Sequence, residues 1–344
     1  MPLVTPGMMK FREKVKLFED QERLKEVLEL KDRIQHDLTS LIQKKDVREY
    51  PDYLSFYNEF GTIDYDDPKN LIAKGSFTRT FKVVNPNTQE TRAIKVIRLN
   101  KSRPEYVEKF LPRQLNTLIF LTEHQHENIM KIGVIARAGE HIFIESAYFP
   151  LGNVKQYRSK IKLPKRMDEN LLRIWLRQLI SAIEFLHYYC IAHRNITPEN
   201  ILIATENSIV LSGFGFSRFC YDVESGTFRK SSSNRDPDPF LAPEIIDGET
   251  ADPKCGDIWS FGAMFYYLVT GDPPYLPNQQ IAKGVKASNF VYKPYHAARV
   301  GVALSARVSR LIECCLVSDA SKRATLQHVK LNPWFKDSEP VTSS

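Results

Sequence analysis

The stretch IAHRNITPENILI, residues 191–203, decides how this chain is read. Its polar run HRNITPEN carries neutral amides at Asn195 and Asn200 and one carboxylate, Glu199. An asparagine amide has no useful basicity, so Asn195 cannot take a proton from a hydroxyl as a carboxylate or an imidazole would. Asn is also common in tight turns, where its side chain bonds nearby backbone. Asn200 can therefore be read as a loop-stabilising residue.

Around this stretch lies a chain of 344 residues, 42% hydrophobic and 26% charged, which is enough to bury a sizeable core in one large or two ordinary domains. The N-terminal MPLVTPGMMKFREK has no apolar signal core, and the longest apolar run, FGAMFYYLV at 261–269, is too short to span a bilayer. Neither secretion nor membrane insertion is expected. Five cysteines, Cys190, Cys220, Cys255, Cys314 and Cys315, form no CxxC pair, which argues against structural zinc and for a reducing, cytoplasmic setting. The net charge of +7 is modest; it mainly favours solubility, though it could also suit an acidic partner such as tubulin, nucleic acid or an anionic membrane face, of which nucleic acid is not expected.

From Phe11 to Lys45 there is no Gly or Pro, and Leu24, Val27, Leu28, Ile34, Leu38 and Leu41 recur at helical spacing among mixed charges. The pattern predicts one long amphipathic helix or a helical hairpin whose stripe covers its own domain, a partner or a second copy. Residues 50–65 form a linker with Tyr53, Phe56, Tyr57 and Phe60, too aromatic to stay in water, so it is expected to dock. FKVV at 81–84 and RAIKVI at 92–97, separated by NPNT, predict a β-hairpin. Leu171–His187 is amphipathic, and Ile258–Val269 is apolar all round, as a helix buried in a large lobe would be. The expected organisation is a helical extension and linker at 1–60, a small β-rich lobe at 61–150, a helical lobe at 151–336 and a short tail at 337–344.

AIKVI (93–97), HRNITPEN (193–200), SGFGFSR (212–218), LAPEII (241–246), DIWSFG (257–262) and Arg323 stand in an order and spacing that resemble the eukaryotic protein-kinase domain from about residue 61 to 336. The resemblance implies an α+β, two-lobed fold. Within that family KFLPRQL (109–115), FSRFCYD followed by SG (216–226) and DPKCGDIWS (252–260) are most similar to the testis-specific serine kinases of the calmodulin-kinase-like branch.

Phosphoryl transfer is mostly positioning and charge neutralisation, and the resemblance assigns each part a position here. The three phosphate-loop glycines fall on Ala73, Gly75 and Thr78, leaving only the middle one. Lys95, with Ala93 beside it, matches the phosphate-holding lysine, but the helix glutamate that should orient it is Gln114. The proton-accepting aspartate is Asn195, the lysine two residues on is Thr197, and the metal-binding aspartate is Gly213. Magnesium needs anionic oxygen, which glycine does not supply from a side chain. Asn200 remains as the second metal position.

The scaffold positions are intact by the same resemblance: Leu118, His193 and Phe214 of the column joining the lobes, Gly215, Asp257, and the pair Glu244 and Arg323. Loss of the chemical residues beside retention of the architectural ones implies a pseudokinase that binds or scaffolds, with a possible place in sperm formation. A vestigial ATP site at Gly75, Ala93, Lys95 and Asn200 would bind weakly and without magnesium, and no cofactor or metal is required. The alternative is a weak serine/threonine kinase in which Glu199 or Asp222 supplies the missing carboxylate. Partners are expected at the N-terminal helix and on the large lobe, including an acidic one at Lys155, Arg158, Lys160, Lys162, Lys165 and Arg166. Ser231, Ser232 and Ser233 follow Arg229 and Lys230, where phosphorylation is a further possibility.

Overall fold

Alternating apolar and polar residues at 78–98 fold as the sequence predicts, into an antiparallel hairpin of β3 (Thr78–Val84) and β4 (Thr91–Arg98). Its turn is held by Asn85, whose Oδ1 accepts from the amides of Asn87 and Thr88. In the computed structural model, which describes residues 42–43, 45–75, 78–161, 167–222, 227–228, 238–278, 286–292 and 304–336, this hairpin belongs to a six-stranded sheet. The other strands are β1 (Arg48–Tyr50), β2 (Leu71–Lys74), β5 (Ile132–Ala138) and β6 (His141–Ala147), in the order β1-β5-β6-β4-β3-β2.

Period-two alternation gives the sheet two apolar faces. Phe81, Val83, Ile94, Val96 and Phe143 form one cluster. Ile97, Ile142 and Ile144 point the other way, into the main core that includes Leu115 and Leu118 of helix α2 (Leu111–Glu123). The first cluster is closed by α1 (Tyr53–Phe60), started by Asp52 accepting from the Ser55 amide at 2.7 Å. Phe56 stacks on Phe143 with centroids 4.1 Å apart and on Phe60 at 4.9 Å. The aromatic segment thus docks on the small lobe, and β1 just before it pairs in parallel with β5, Glu49 opposite Arg137. Two residues of the segment are fully buried because the sheet offers an apolar face that water would otherwise wet.

The second lobe is helical, with α3 (Val154–Ser159), α4 (Glu169–Tyr188), α5 (Pro243–Ile246), α6 (Pro253–Thr270), α7 (Ala306–Cys315) and α8 (Leu326–Lys330). Asp168 caps α4 by accepting from Leu171 N. α6 is buried on all sides from Gly256 to Tyr266, as its apolar sequence predicts. The result is the α+β, two-lobed architecture, with one core running through both lobes from Ile97 and Leu118 to Trp259 and Leu311. No helix among the described residues is long and apolar enough to cross a membrane, and no described group of His, Cys, Asp and Glu could hold a metal ion. The predicted N-terminal helix up to Leu41, Lys162, Lys165, Arg166, Ser231–Ser233 and the tail from 337 lie outside the described residues.

Candidate nucleotide cleft

Between the lobes the small-lobe sheet contributes its α2-facing side. Ala73 stands opposite Thr80, and the Gly75 amide closes the β2–β3 turn by donating to Thr78 O at 2.8 Å. On β4, Lys95 lies between Thr80 and Ile144, and Ala93 two residues back lies between Lys82 and Ser146. The Lys95 ammonium makes no hydrogen bond or ion pair with any described residue. Burial alone holds its ammonium below the usual lysine range, and no nearby carboxylate restores it.

Gln114 of α2 is 2% exposed, but it does not serve Lys95. Its Oε1 accepts from the Tyr106 hydroxyl at 3.2 Å, and no hydrogen bond joins it to Lys95. A neutral amide has no charge to draw the ammonium, and a phenol in a π-helical turn just ahead of α2 (Tyr106–Phe110) occupies its acceptor instead. Burial pushes that phenol up to about 12, so it stays protonated as the donor. Tyr106 escaped notice in the sequence because its role depends on the turn that brings it back over α2.

Below the sheet, β7 (Ile191–Ala192) pairs with β8 (Arg218–Phe219) and leads into the loop of residues 193–200. The loop is anchored on Asp257 at the start of α6. Asp257 Oδ2 accepts from His193 N at 2.9 Å, Oδ1 accepts from Arg194 N at 2.7 Å, and His187 Nε2 lies 2.9 Å from Oδ2. Burial would raise this carboxyl, yet the His187 hydrogen bond and the neighbouring imidazole and amide groups hold it below the usual carboxylate range. His193 Nε2 lies 2.9 Å from Ser212 O, and its ring meets Phe214 edge-on at 4.8 Å. Leu118 lies buried in the same core as Phe214.

The chemical positions tell a different story. Asn195 directs its Nδ2 to Gly213 O at a long 3.4 Å. Asn200 donates from Nδ2 to Asn195 O at 2.9 Å, while its own carbonyl accepts from Ser212 N and Ser212 Oγ at 2.7 and 2.9 Å. Gly213 has φ +83° and ψ +38°, and a Cβ built there would stand 2.2 Å from Asn200 Cγ. The Asn200 side chain therefore fills the space that a side chain at 213 would need, which favours the loop-stabilising reading of Asn200 over the metal-ligand one. Thr197 is nearly buried and places no charge in the cleft.

Of the two candidate substitute carboxylates, Glu199 is not a free group. Glu199 is ion-paired with Lys155, and the backbone of Asp222 sits on β9 (Tyr221–Asp222) opposite Thr227 of β10 (Thr227–Phe228). That first pair also revises the basic surface read from the sequence. Lys155 is neutralised, and Arg158 is a buried brace, donating to Leu268 O at 3.1 Å and Ile161 O at 2.8 Å, so of the described residues only Lys160 stays an open cation there. A guanidinium on the inner face of a short helix meets backbone carbonyls before it meets a partner.

A three-arginine cluster was also not singled out in the sequence, where its members are far apart. Burial, then the charges of Arg218 and Arg113, bring Arg194 down to about 10 against the pull of Asp257. In the large lobe, Arg323 donates to both oxygens of Glu244 at 2.7 and 2.8 Å and to Cys255 O at 2.8 Å, a bidentate pair buried beneath Trp259.

This geometry agrees with what the chain is similar to. The protein kinase domain model matches residues 67–335. Over 275 residues the chain is 28% identical to the carbon catabolite-derepressing protein kinase of Secale cereale, an alignment covering 78% of this chain and 51% of that one. It is 27% identical over 274 residues to testis-specific serine/threonine-protein kinase 2 of Mus musculus, covering 79% and 74%, and 31% identical over 272 residues to serine/threonine-protein kinase kin-29 of Caenorhabditis elegans, covering 78% and 30%. The chain thus spans about half the length of the rye relative and three quarters of the mouse one. With the two-lobed fold, the Asp257-anchored loop and the Glu244–Arg323 pair all in place, the chain belongs to the protein kinase family.

Proposed function

We propose that this chain is a catalytically deficient protein kinase, a pseudokinase that acts by binding rather than by phosphoryl transfer. The observation that carries the reading is the packing of Asn200 over Gly213, which leaves neither a carboxylate nor room for one where a magnesium ion would be held. Asn195 offers an amide in place of a base, and a positioned general base contributes about 10²–10⁴ in rate. Lys95 keeps a cation in the cleft, so a nucleotide phosphate is the ligand chemistry it suits, without magnesium and weakly. The likeness to a kinase named as testis-specific favours a role in sperm formation, in the cytoplasm, through protein partners.

Thermal-shift titration with ATP, with and without magnesium, tests this beside a phosphotransfer assay with labelled ATP. A ligand that binds only the folded state raises apparent stability. The expected result is a small shift with ATP that magnesium does not enlarge, and no labelled product. A magnesium-dependent shift together with transfer abolished by Lys95→Ala would overturn the reading in favour of a weak kinase.

A further inference from the structure

Two of the five cysteines face each other just ahead of the 193–200 loop. β7 and β8 pair antiparallel with Ala192 opposite Arg218 and Ile191 opposite Phe219, so the next step of the register sets Cys190 opposite Cys220. The Cys220 amide donates to Cys190 O at 2.7 Å, which makes the two a hydrogen-bonded pair of the ladder. Such pairs hold their Cα atoms about 5.5 Å apart, inside the range of about 4.4–6.8 Å that a disulfide needs. The Cys220 thiol lies over the same partner, donating to the Cys190 carbonyl at 2.8 Å. Cys190, Ala192 and Cys220 form a small buried cluster of their own, apart from both larger cores.

The backbone and the burial of this pair both bear on its chemistry. Cys190 holds φ +56°, a left-handed conformation that glycine adopts freely and other residues adopt under strain. Strain of this kind clusters at functional sites. Cys190 is 2% and Cys220 0% exposed, which shuts out a bulky oxidant such as oxidised glutathione. Hydrogen peroxide, close to water in size, can enter on local opening of a ladder only two residues long on each strand.

We propose that Cys190 and Cys220 are a peroxide-driven disulfide site, with Cys190 as the attacking sulfur and Cys220 as the resolving one. Cys220 suits the second role because its proton rests on Cys190 O and burial pushes its thiol up, so it stays a thiol while Cys190 reacts. The Cys190 thiolate attacks one peroxide oxygen, the O–O bond breaks, and hydroxide leaves with the proton that the thiol gave up, as water. Cys190 is then a sulfenic acid. Cys220 Sγ attacks that sulfur, the S–O bond breaks, and the departing hydroxide takes the Cys220 proton as a second water. Two thiols have given two electrons to one peroxide molecule, and the products are one disulfide and two waters. The bond ties the strand entering the 193–200 loop to the strand leaving Gly213–Ser217, and so holds the Asn195–Gly213 contact from both sides. In a reducing setting such a bond is transient, as redox-sensing disulfides are. The inference does not depend on whether the cleft takes a nucleotide.

Peptide mapping of the full chain tests it. The protein is treated with hydrogen peroxide, its remaining thiols are alkylated in denaturant, and the digest is read by mass spectrometry without reduction. The expected product is a Cys190 peptide joined to a Cys220 peptide, lighter by two hydrogens than the two thiol peptides and lost on reduction. In Cys220→Ser the link is expected to vanish and Cys190 to run on to sulfinic acid, since no thiol intercepts the sulfenic acid. Where that variant does not fold, the wild-type map decides alone. Cys255 and Cys314, which are less buried, calibrate the dose. Oxidation of those two while Cys190 and Cys220 are both recovered alkylated overturns the proposal. So does an unlinked Cys190 sulfinic acid in wild type, or a link from either residue to any other cysteine.

Discussion

The two ends of the 193–200 loop behave as opposites. At its start, Asp257 gathers the amides of His193 and Arg194 and the His187 ring onto one buried carboxylate. At its end, Asn200 leans on Gly213, Asn195 reaches a carbonyl at 3.4 Å, and Lys95 across the cleft has no counter-ion among the described residues. The first region is built to hold a shape; the second has kept the shape and lost the charges that gave it a reaction. Architecture and chemistry are thus separable in this fold, and substitutions can probe each without the other.

The largest effect is expected on the architectural side. Arg323→Ala removes a guanidinium bound to both Glu244 oxygens and leaves that carboxylate buried and unpaired. Breaking a buried pair in this way costs about 3–5 kcal/mol. Chemical denaturation should show that loss, with no bearing on nucleotide titration. A change below about 1 kcal/mol would mean that water reaches Glu244, and the contrast between the two regions would weaken.

A middle-sized effect is expected from Gly213→Asp, the substitution that would restore a metal carboxylate. A non-glycine residue at φ +83° carries strain of about 1–3 kcal/mol, and here the new Cβ also meets Asn200 at 2.2 Å. The variant should melt lower than wild type and gain no magnesium-dependent shift with ATP. Adding Asn200→Ala should recover part of the stability by emptying the space. Restored magnesium binding in the single variant would show that Asn200 swings aside at little cost, and that the metal site is vacant rather than filled.

The fold was legible because it is written in patterns of long reach. Alternation at 78–98 and an apolar helix at 258–269 have only one sensible packing, and spaced motifs such as HRN, GFG, APE and DIW place both on one scaffold. The aromatic segment was legible as something that docks, since Phe56 and Phe60 could not stay wet, but that it lies on the outer sheet face beside an added strand depends on the Glu49–Arg137 register. The cleft was legible only by substitution: Asn195, Gly213 and Gln114 could be named as lost groups. What moved into the gaps could not be read, because Asn200 over Gly213, Tyr106 on Gln114 and Lys155 on Glu199 are contacts between residues whose side chains each permit several partners. Arg158 is the plainest case, counted among surface cations by sequence and found inside by the turn of α3.

The smallest and most discriminating effect concerns Lys95. A strand lysine held by a carboxylate stabilises the fold, and its folded-state pKa lies above the unfolded value. Here desolvation lowers it, with no described partner to compensate. The folded chain then releases this proton before the unfolded chain does, so the unfolded state binds more protons in the window between the folded pKa and about 10.4. Stability contributed by this site accordingly rises with pH through that window and is lowest at neutral pH, where the cation is charged in both states. Lys95→Met keeps the apolar stem and removes the charge. It should raise the melting temperature at pH 7 by about 2 °C, the shift that about 1 kcal/mol gives a domain of roughly 270 residues. The advantage should shrink as pH approaches 10.4, as the wild-type cost is relieved. Adding ATP should reverse the ranking, because an anionic phosphate stabilises wild type and has nothing to pair with in the variant. Should Lys95→Met instead melt lower at neutral pH without nucleotide, Lys95 has a counter-charge in the folded protein, and the cleft is closer to a working kinase than its missing carboxylates imply.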